Sequence, residues 1–186
     1  GASIWLVYSV QQSVATRTGH RYAETQGSRI VAGLEARLDA VETLSHELRA
    51  HILTDGEASD GALSALSEAA AGQHPFIVGA AGSWSGGSAS WSWREGVAFT
   101  RETGWPEDPS IPELRAMNGL PPGELHWVAY KSNAKLRAAG AMRFADSEEE
   151  TLQTAIIVDL EALMAFIPKA LPPRLGYVLL TGPGGE

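Results

Sequence analysis

Apolar residues in the first third of the chain recur every three or four positions, which is the spacing of one helical face. The members of this stripe are Ile30, Leu34, Leu38, Val41, Leu44, Leu48 and Ile52. Charged residues fill many of the positions between them, and the first proline is Pro75. The pattern predicts one long amphipathic helix from Ser9 to Leu53, and Asp55-Gly56 is a suitable stop.

Beyond this helix the apolar pattern changes from the period of a helix to that of a strand. A second helix is predicted over residues 60–71, with Asp60 as its N-cap. Serines alternate strictly with Ala89, Trp91 and Trp93, which indicates a strand with two different faces. The other predicted strands cover residues 76–78, 97–99, 125–130, 137–144, 152–158 and 176–180, and a last helix covers residues 160–167.

The order of these elements predicts an α+β fold, in which a long N-terminal helix packs on an antiparallel sheet of about five strands. Hairpin-length connections between the strands argue against a parallel sheet. The glycine-rich segment AAGSWSGGSAS, residues 80–90, is interpreted as a flexible connection between strands. It is not a nucleophile elbow, because Gly82 and Gly86 flank Trp84 rather than a serine.

The first residues contain a short apolar run, SIWLVYSV, at positions 3–10. This run is too short to cross a bilayer by itself. Two interpretations are open. It is either the last turns of a membrane helix, with Trp5 and Tyr8 at the interface, or the start of an amphipathic helix that packs on a soluble structure.

Composition and charge narrow the chemistry that this chain can perform. The chain has 186 residues, no cysteine, a net charge of −8 and no basic stripe. These properties exclude thiolate metal sites and disfavour nucleic acid as a partner, because phosphate binding needs clustered cations. His46 and His51 are five residues apart rather than four, so they do not form a helical zinc motif. The sequence contains no catalytic constellation, metal site or cofactor-binding loop, and the chain is not predicted to be an enzyme.

Aromatic and basic residues near the predicted hairpin and the loop after it are candidates for ligand binding. Aromatic rings can stack on a small ligand, and basic side chains can hold an anionic group. Arg94, Lys131 and Arg143 are the cations considered for this role. For each tryptophan, packing in the sheet core is the alternative. The period of two places Trp127 and Tyr130 on opposite faces of their strand.

Three segments resemble the Cache-type, PAS-like sensor domains of bacterial chemoreceptors, sensor histidine kinases and diguanylate cyclases. They are PFIVGAAGSW (residues 75–84), ETLQTAIIVDLEALMAF (residues 150–166) and LGYVLLTGPGGE (residues 175–186). The order of helices and strands is similar over nearly the whole chain. The motif of the amino-acid-binding subset is matched here only by Trp127, Tyr130 and Asp159, and no arginine precedes Trp127.

The resemblance implies a domain that binds an unknown small molecule at its PAS-like sheet and passes a shift through the N-terminal helix. The candidate ligand-binding residues are then Trp93, Trp105, Trp127, Tyr130, Lys131, Arg143 and Asp159. Asp159 has its own alternative, as the N-cap of the helix that begins at Leu160. The alternative for the whole chain is a PAS-like module for dimerisation or protein interaction, without a small-molecule ligand.

The resemblance also implies where such a domain sits and how it is divided. It implies the extracytoplasmic, periplasmic part of a receptor anchored in the inner membrane, and a homodimer formed through the N-terminal helix. Residues 1–56 would be the long helix, residues 57–175 the sensor module, and residues 176–186 its last strand or the start of a second module.

Overall fold

The structure is a computed structural model that describes residues 5–9, 17–55, 60–84, 89–103, 121–145, 151–167 and 177–181. Side chains are described within residues 24–52, 60–84, 90–101, 121–145 and 152–167. In chain order the elements are β1 (Trp5–Ser9), α1 (Arg17–Asp55), α2 (Asp60–Gln73), β2 (Ile77–Trp84), β3 (Ala89–Arg94), β4 (Val97–Thr103), β5 (Leu125–Ser132), β6 (Lys135–Ala145), β7 (Thr151–Asp159), α3 (Leu160–Met164) and β8 (Tyr177–Thr181).

Helix α1 contains 39 residues, and the predicted apolar stripe forms its buried side. Ile30, Val41 and Leu48 are fully buried, whereas Leu38 is only partly buried. The predicted helix is therefore confirmed, although it begins at Arg17 rather than Ser9. Within the described residues, no helix combines the length and the hydropathy that crossing a membrane requires.

The main sheet has six strands in the order β4-β3-β2-β7-β6-β5, and every neighbouring pair is antiparallel. This confirms the predicted α+β fold, with six strands rather than about five. Strand β7 lies near the centre and is buried from residue 152 to residue 158, which explains its nearly continuous apolar sequence.

The first apolar run is a strand and not a helix. Trp5–Ser9 pairs antiparallel with Tyr177–Thr181, so β1 and β8 form a separate two-stranded sheet. Both helical interpretations of residues 3–10 are therefore wrong for Trp5–Ser9. The final strand is confirmed, but it does not extend the six-stranded sheet.

The first part of the glycine-rich segment is also regular structure. Residues 80–84 belong to β2, which lies between β3 and β7, so their interpretation as a flexible connection is wrong. Gly82 is required there because a Cβ atom at this position would lie 2.6 Å from the Trp91 ring. The glycine therefore allows the Trp91 ring of β3 to lie close over β2.

All three described helices pack on one face of the six-stranded sheet, which we call the helix face. A Cβ atom at Gly140 of β6 would lie 2.8 Å from Val41 Cγ1, so α1 runs directly over this strand. Leu63 of α2 and Leu163 of α3 join the same apolar core. The segment after α3 packs on α1. There the Arg37 guanidinium of α1 lies 4.0 Å from the centre of the Phe166 ring.

Candidate functional site

The face of the six-stranded sheet opposite the helices, which we call the second face, carries the candidate site. Because side chains alternate along a strand, the pairing register assigns each residue to one face. The second face carries Gly79, Ala81 and Ser83 of β2; Ser90, Ser92 and Arg94 of β3; His126, Val128 and Tyr130 of β5; Arg137, Ala139, Ala141 and Arg143 of β6; and Gln153, Ala155, Ile157 and Asp159 of β7.

Alanines form the floor of the second face. Ala81, Ala155 and Ala141 are register partners on three adjacent strands, and Ala139 lies beside them on β6. All four are fully buried, although the described helices pack on the other face. Short side chains at the centre of a sheet let a covering group approach the backbone closely, and we call these four residues the alanine floor.

A polar row borders the alanine floor on one side. Ser83 pairs with Ser90 on β3 and with Gln153 on β7, and Gln153 pairs with Arg143 on β6. Ser83, Ser90 and Gln153 are at most 3% exposed. Within the described part of the chain, the buried Ser83 and Ser90 hydroxyls have no hydrogen-bond partner. A buried polar group without a partner costs about 1–3 kcal/mol, so these two hydroxyls need an explanation.

Arg94 borders the alanine floor on another side. A Cβ atom at Gly79 would lie 2.8 Å from Arg94 Cδ and 2.9 Å from Arg94 Nη1, so the arginine side chain crosses the central strand β2 at this glycine. Arg94 Nη1 also donates a hydrogen bond of 3.2 Å to the Trp93 carbonyl. The absence of a side chain at Gly79 thus brings a guanidinium group over the second face.

Asp159 ends β7 and caps α3. Its Oδ1 accepts hydrogen bonds from the backbone N–H groups of Glu161 and Ala162, and its Oδ2 accepts one from Arg137, its register partner. Partial burial acts to raise the pKa of this carboxyl. The Ala162 N–H, the Arg137 guanidinium, the Glu161 N–H and the nearby Lys135 charge outweigh it, so the pKa lies below 3.8. The predicted alternative for Asp159, a helix N-cap, is therefore confirmed.

Three of the predicted ligand-binding residues lie on the second face. Tyr130 and Arg143 are partly buried there, and Asp159 lies at its end with a side chain that is 15% exposed. His126 also faces this side, and its buried Nε2 atom lacks a hydrogen bond while lying 3.7 Å from Glu124 Oε2. The predicted set thus only partly coincides with the buried polar row.

Three of the other predicted residues, Trp93, Trp127 and Lys131, lie in phase with the helix face. Trp93 is the register partner of Ala80 and is buried on the helix face, and Trp127 lies beside Gly140 there. Trp127 and Tyr130 therefore lie on opposite faces, as the alternation predicts. Lys131 is exposed near the end of β5, in phase with Trp127. Trp105 lies outside the described residues.

The sequence prediction missed the two buried serines. Ser83 and Ser90 lie in the glycine-rich segment, whose composition masks the strand pattern. The strict alternation of serines with Trp91 and Trp93 was the available signal, since it predicts one apolar and one polar face of β3.

Comparisons with known proteins give a likeness of fold. No protein-family model matches the chain, and no curated protein matches it. Among solved structures it is similar to a chain titled "Methyl-accepting Chemotaxis protein X", with a TM-score of 0.50 and 15% sequence identity. The match covers 84% of this chain and 66% of that chain, so this chain spans just under two thirds of its neighbour. At this identity the likeness concerns the fold alone.

Proposed function

We propose that this chain is a Cache-type, ligand-sensing domain of a membrane-bound bacterial signalling receptor, and that it binds a small molecule on the second face of its sheet. In this proposal the domain lies outside the cytoplasm, carries no catalytic activity and needs no cofactor. The fold that it shares with a chemotaxis protein supports the proposal.

One observation carries the proposal: the centre of the second face is buried, yet two neighbouring hydroxyl groups there lack a hydrogen bond in the part of the chain that the structure describes. The Ser83 and Ser90 hydroxyls are buried side by side without a hydrogen-bond partner among the described residues. A protein that did not bind a ligand here would be more stable with alanine at both positions. The unpaired hydroxyls above a floor of alanines therefore favour a site for a ligand that carries polar atoms.

The position of α1 supports the transmission step of the proposal. The helix packs on the opposite face of the strands that carry the candidate site, and Val41 contacts the sheet at Gly140. A ligand moves such a helix only if it binds two arrangements of the domain with different affinity. We propose that the strands carry this difference from the second face to α1, and that α1 pairs with its mate in a homodimer.

A thermal-shift screen of the purified domain tests the proposal. The compounds are amino acids, organic acids, polyamines, purines and sugars. A ligand at 100 times its Kd adds about 2.7 kcal/mol, which raises the Tm of a domain of this size by several degrees. The variant with both Ser83→Ala and Ser90→Ala should lose this shift, while its own Tm without ligand stays equal to or above that of the wild type.

Ser92→Ala is the matched control variant. Ser92 lies two residues from Ser90 on β3, but its hydroxyl is already hydrogen-bonded to Thr100 Oγ1 at 2.8 Å. We expect this variant to retain the ligand-dependent shift. A flat screen on a domain that melts cooperatively would contradict the proposal and favour the alternative, a module for dimerisation or protein interaction.

A further inference from the structure

The segment that follows α3 is fastened to α1 at a glycine. A Cβ atom at Gly33 of α1 would lie 2.7 Å from Cε2 and 3.2 Å from Cζ of the Phe166 ring. The first of these distances is shorter than a van der Waals contact, so only glycine lets the ring approach the helix this closely. The ring therefore lies against the backbone of α1.

Arg37, one turn further along α1, covers the same ring. Its guanidinium carbon lies 4.0 Å from the centre of the Phe166 ring, where a cation is attracted by the face of an aromatic group. Its Nη1 atom also donates a hydrogen bond of 2.8 Å to the Gly33 carbonyl, which fixes the arginine side chain in this position. We call Gly33, Arg37 and Phe166 the latch.

The other end of the same segment is fastened to the sheet. Asp159 at the end of β7 accepts hydrogen bonds from two backbone N–H groups of α3 and from Arg137 of β6. Only residues 160–165 separate Asp159 from Phe166, and five of them form α3. Leu163 of α3 is buried in the core. A short helix thus connects two fixed points and cannot lengthen between them.

These two points belong to different parts of the molecule. Asp159 and Arg137 lie at the end of the second face, on strands that also carry the candidate site. Gly33 lies about two turns before Val41, the residue of α1 that contacts the sheet at Gly140. Helix α3 therefore connects the end of the second face with an earlier part of α1, by a route that does not pass through the contact of Val41.

We propose that α3 and the latch form a conformational device that couples the end of β7 to α1. When Asp159 caps α3, the helix holds the Phe166 ring at Gly33 under Arg37. When the cap is displaced, the ring leaves Gly33 and this part of α1 is released. Packed contacts of this kind change between discrete arrangements rather than gradually. The device is a property of the fold and needs no ligand, whereas its use by a ligand rests on the proposed function.

Hydrogen exchange of the whole domain without ligand tests the coupling. Phe166→Ala removes the ring, and Asp159→Ala removes the cap at the distant end. Both should speed exchange in residues 30–37 and 160–167 by about tenfold, because both release the same contact. Exchange in residues 41–52 should change by less than about twofold. No change in residues 30–37 of Asp159→Ala, or equal acceleration over the whole of α1, would overturn the proposal.

A double variant tests the direct contact between the ring and the glycine. Gly33→Ala should displace the ring and speed exchange in residues 160–167. In the variant that combines Gly33→Ala with Phe166→Ala, the new methyl group no longer meets the ring. This variant should therefore exchange no faster than Phe166→Ala alone, and additive effects would overturn the proposal. Gly27→Ala is the control, since no atom lies within 4 Å of its Cβ position, and it should leave residues 160–167 unchanged.

The arginine has its own pair of variants. Arg37→Gln should speed exchange in residues 160–167 by about two- to fivefold, which corresponds to the loss of one cation–π contact. Arg29→Gln is the control, since Arg29 is exposed on the same helix, and it should leave these residues unchanged. Equal effects of the two variants would contradict the role of Arg37 in the latch.

The outcomes separate this inference from the proposed function. If Asp159→Ala fails to fold, Asp159→Asn replaces it, and it should speed exchange in the same two segments by a smaller factor because it keeps the cap and loses only the charge. A ligand found in the thermal-shift screen, together with variants that do not affect residues 30–37, would overturn the latch and leave the sensor proposal standing. Local effects of the variants together with a flat screen would support the latch and count against the sensor proposal.

Discussion

Asp159 is held by three donors at once, which makes it a structural residue. Its carboxylate accepts two backbone N–H groups at the start of α3 and the guanidinium of Arg137 on β6. It thereby joins the end of β7 to the helix that follows. Burial acts to raise its pKa, but these bonds outweigh that effect and the pKa is lowered. A ligand would have to compete with all three donors, so the proposed ligand site involves the Ser83 and Ser90 hydroxyls rather than Asp159.

Replacing Asp159 with asparagine should reduce stability in a pH-dependent manner. Asparagine retains the cap, so the change isolates the charge that Arg137 binds. The folded pKa lies below the ordinary 3.8, so the stabilisation is complete above that value and is lost as the pH falls through the folded pKa. We expect a loss of about 1–2 kcal/mol at neutral pH and a shrinking difference from wild type below about pH 4.

Urea unfolding at a series of pH values measures this difference. Asp39→Asn is the control, since Asp39 of α1 is exposed. A loss in Asp159→Asn that is the same at every pH would show that the Arg137 bond does not depend on the carboxylate charge. Binding of the ligand should be unaffected by this variant.

The sequence revealed the role of Asp159 only as one of two alternatives, and the structure shows why. An aspartate before a predicted helix is a recognisable cap, but its partner Arg137 is 22 residues away and is brought beside it by the β6–β7 register. Likewise, nothing in the sequence pairs Ser83 with Ser90 until the register of β2 and β3 is known. The alternation of apolar and polar residues along a strand predicts which face of the sheet each residue occupies. A site depends in addition on which residues the pairing register brings together from different strands.

At the scale of elements, three glycines determine how closely neighbouring elements approach. Gly79 and Gly82 let side chains of β3 lie over β2, and Gly140 lets Val41 of α1 and Trp127 of β5 meet above β6. The helices and most strands were predicted because their periodicity is local. Strand β2 was predicted too short because glycine-rich composition is typical of loops, while here close contacts select glycine within a buried strand.

Gly140→Ala should destabilise the domain by about 1–3 kcal/mol, because the new Cβ would lie 2.8 Å from Val41 Cγ1 and 3.0 Å from Trp127 Cη2. The control is Gly27→Ala on α1, where no atom lies within 4 Å of the Cβ position. That change should instead stabilise by about 0.5–1 kcal/mol, because alanine favours a helix over glycine. Guanidinium unfolding compares both variants with the wild type. Equal effects of the two changes would contradict the close approach of α1 to the sheet.

At the scale of the molecule, the candidate site and the long helix lie on opposite faces of the same central strands. Residues adjacent in sequence face opposite sides: Ser83 faces the ligand site and Gly82 the helix face, and Gln153 and Thr154 are divided in the same way. The β1–β8 pair forms a separate two-stranded sheet that shares no hydrogen-bond ladder with these strands. A change in strand position at the site therefore has a direct route to α1 through these strands.

Hydrogen exchange measured with and without the best-binding compound of the thermal-shift screen tests whether the ligand acts on α1. We expect slower exchange in β2, β7 and residues 41–52 of α1, because the ligand stabilises the strands on which this part of α1 packs. Exchange in β1 and β8 should change less, since these two strands share no hydrogen-bond ladder with β2 or β7. The variant with Ser83→Ala and Ser90→Ala should show none of the ligand-dependent slowing. Protection confined to the strands, with no change in α1, would contradict transmission through the helix while leaving ligand binding intact.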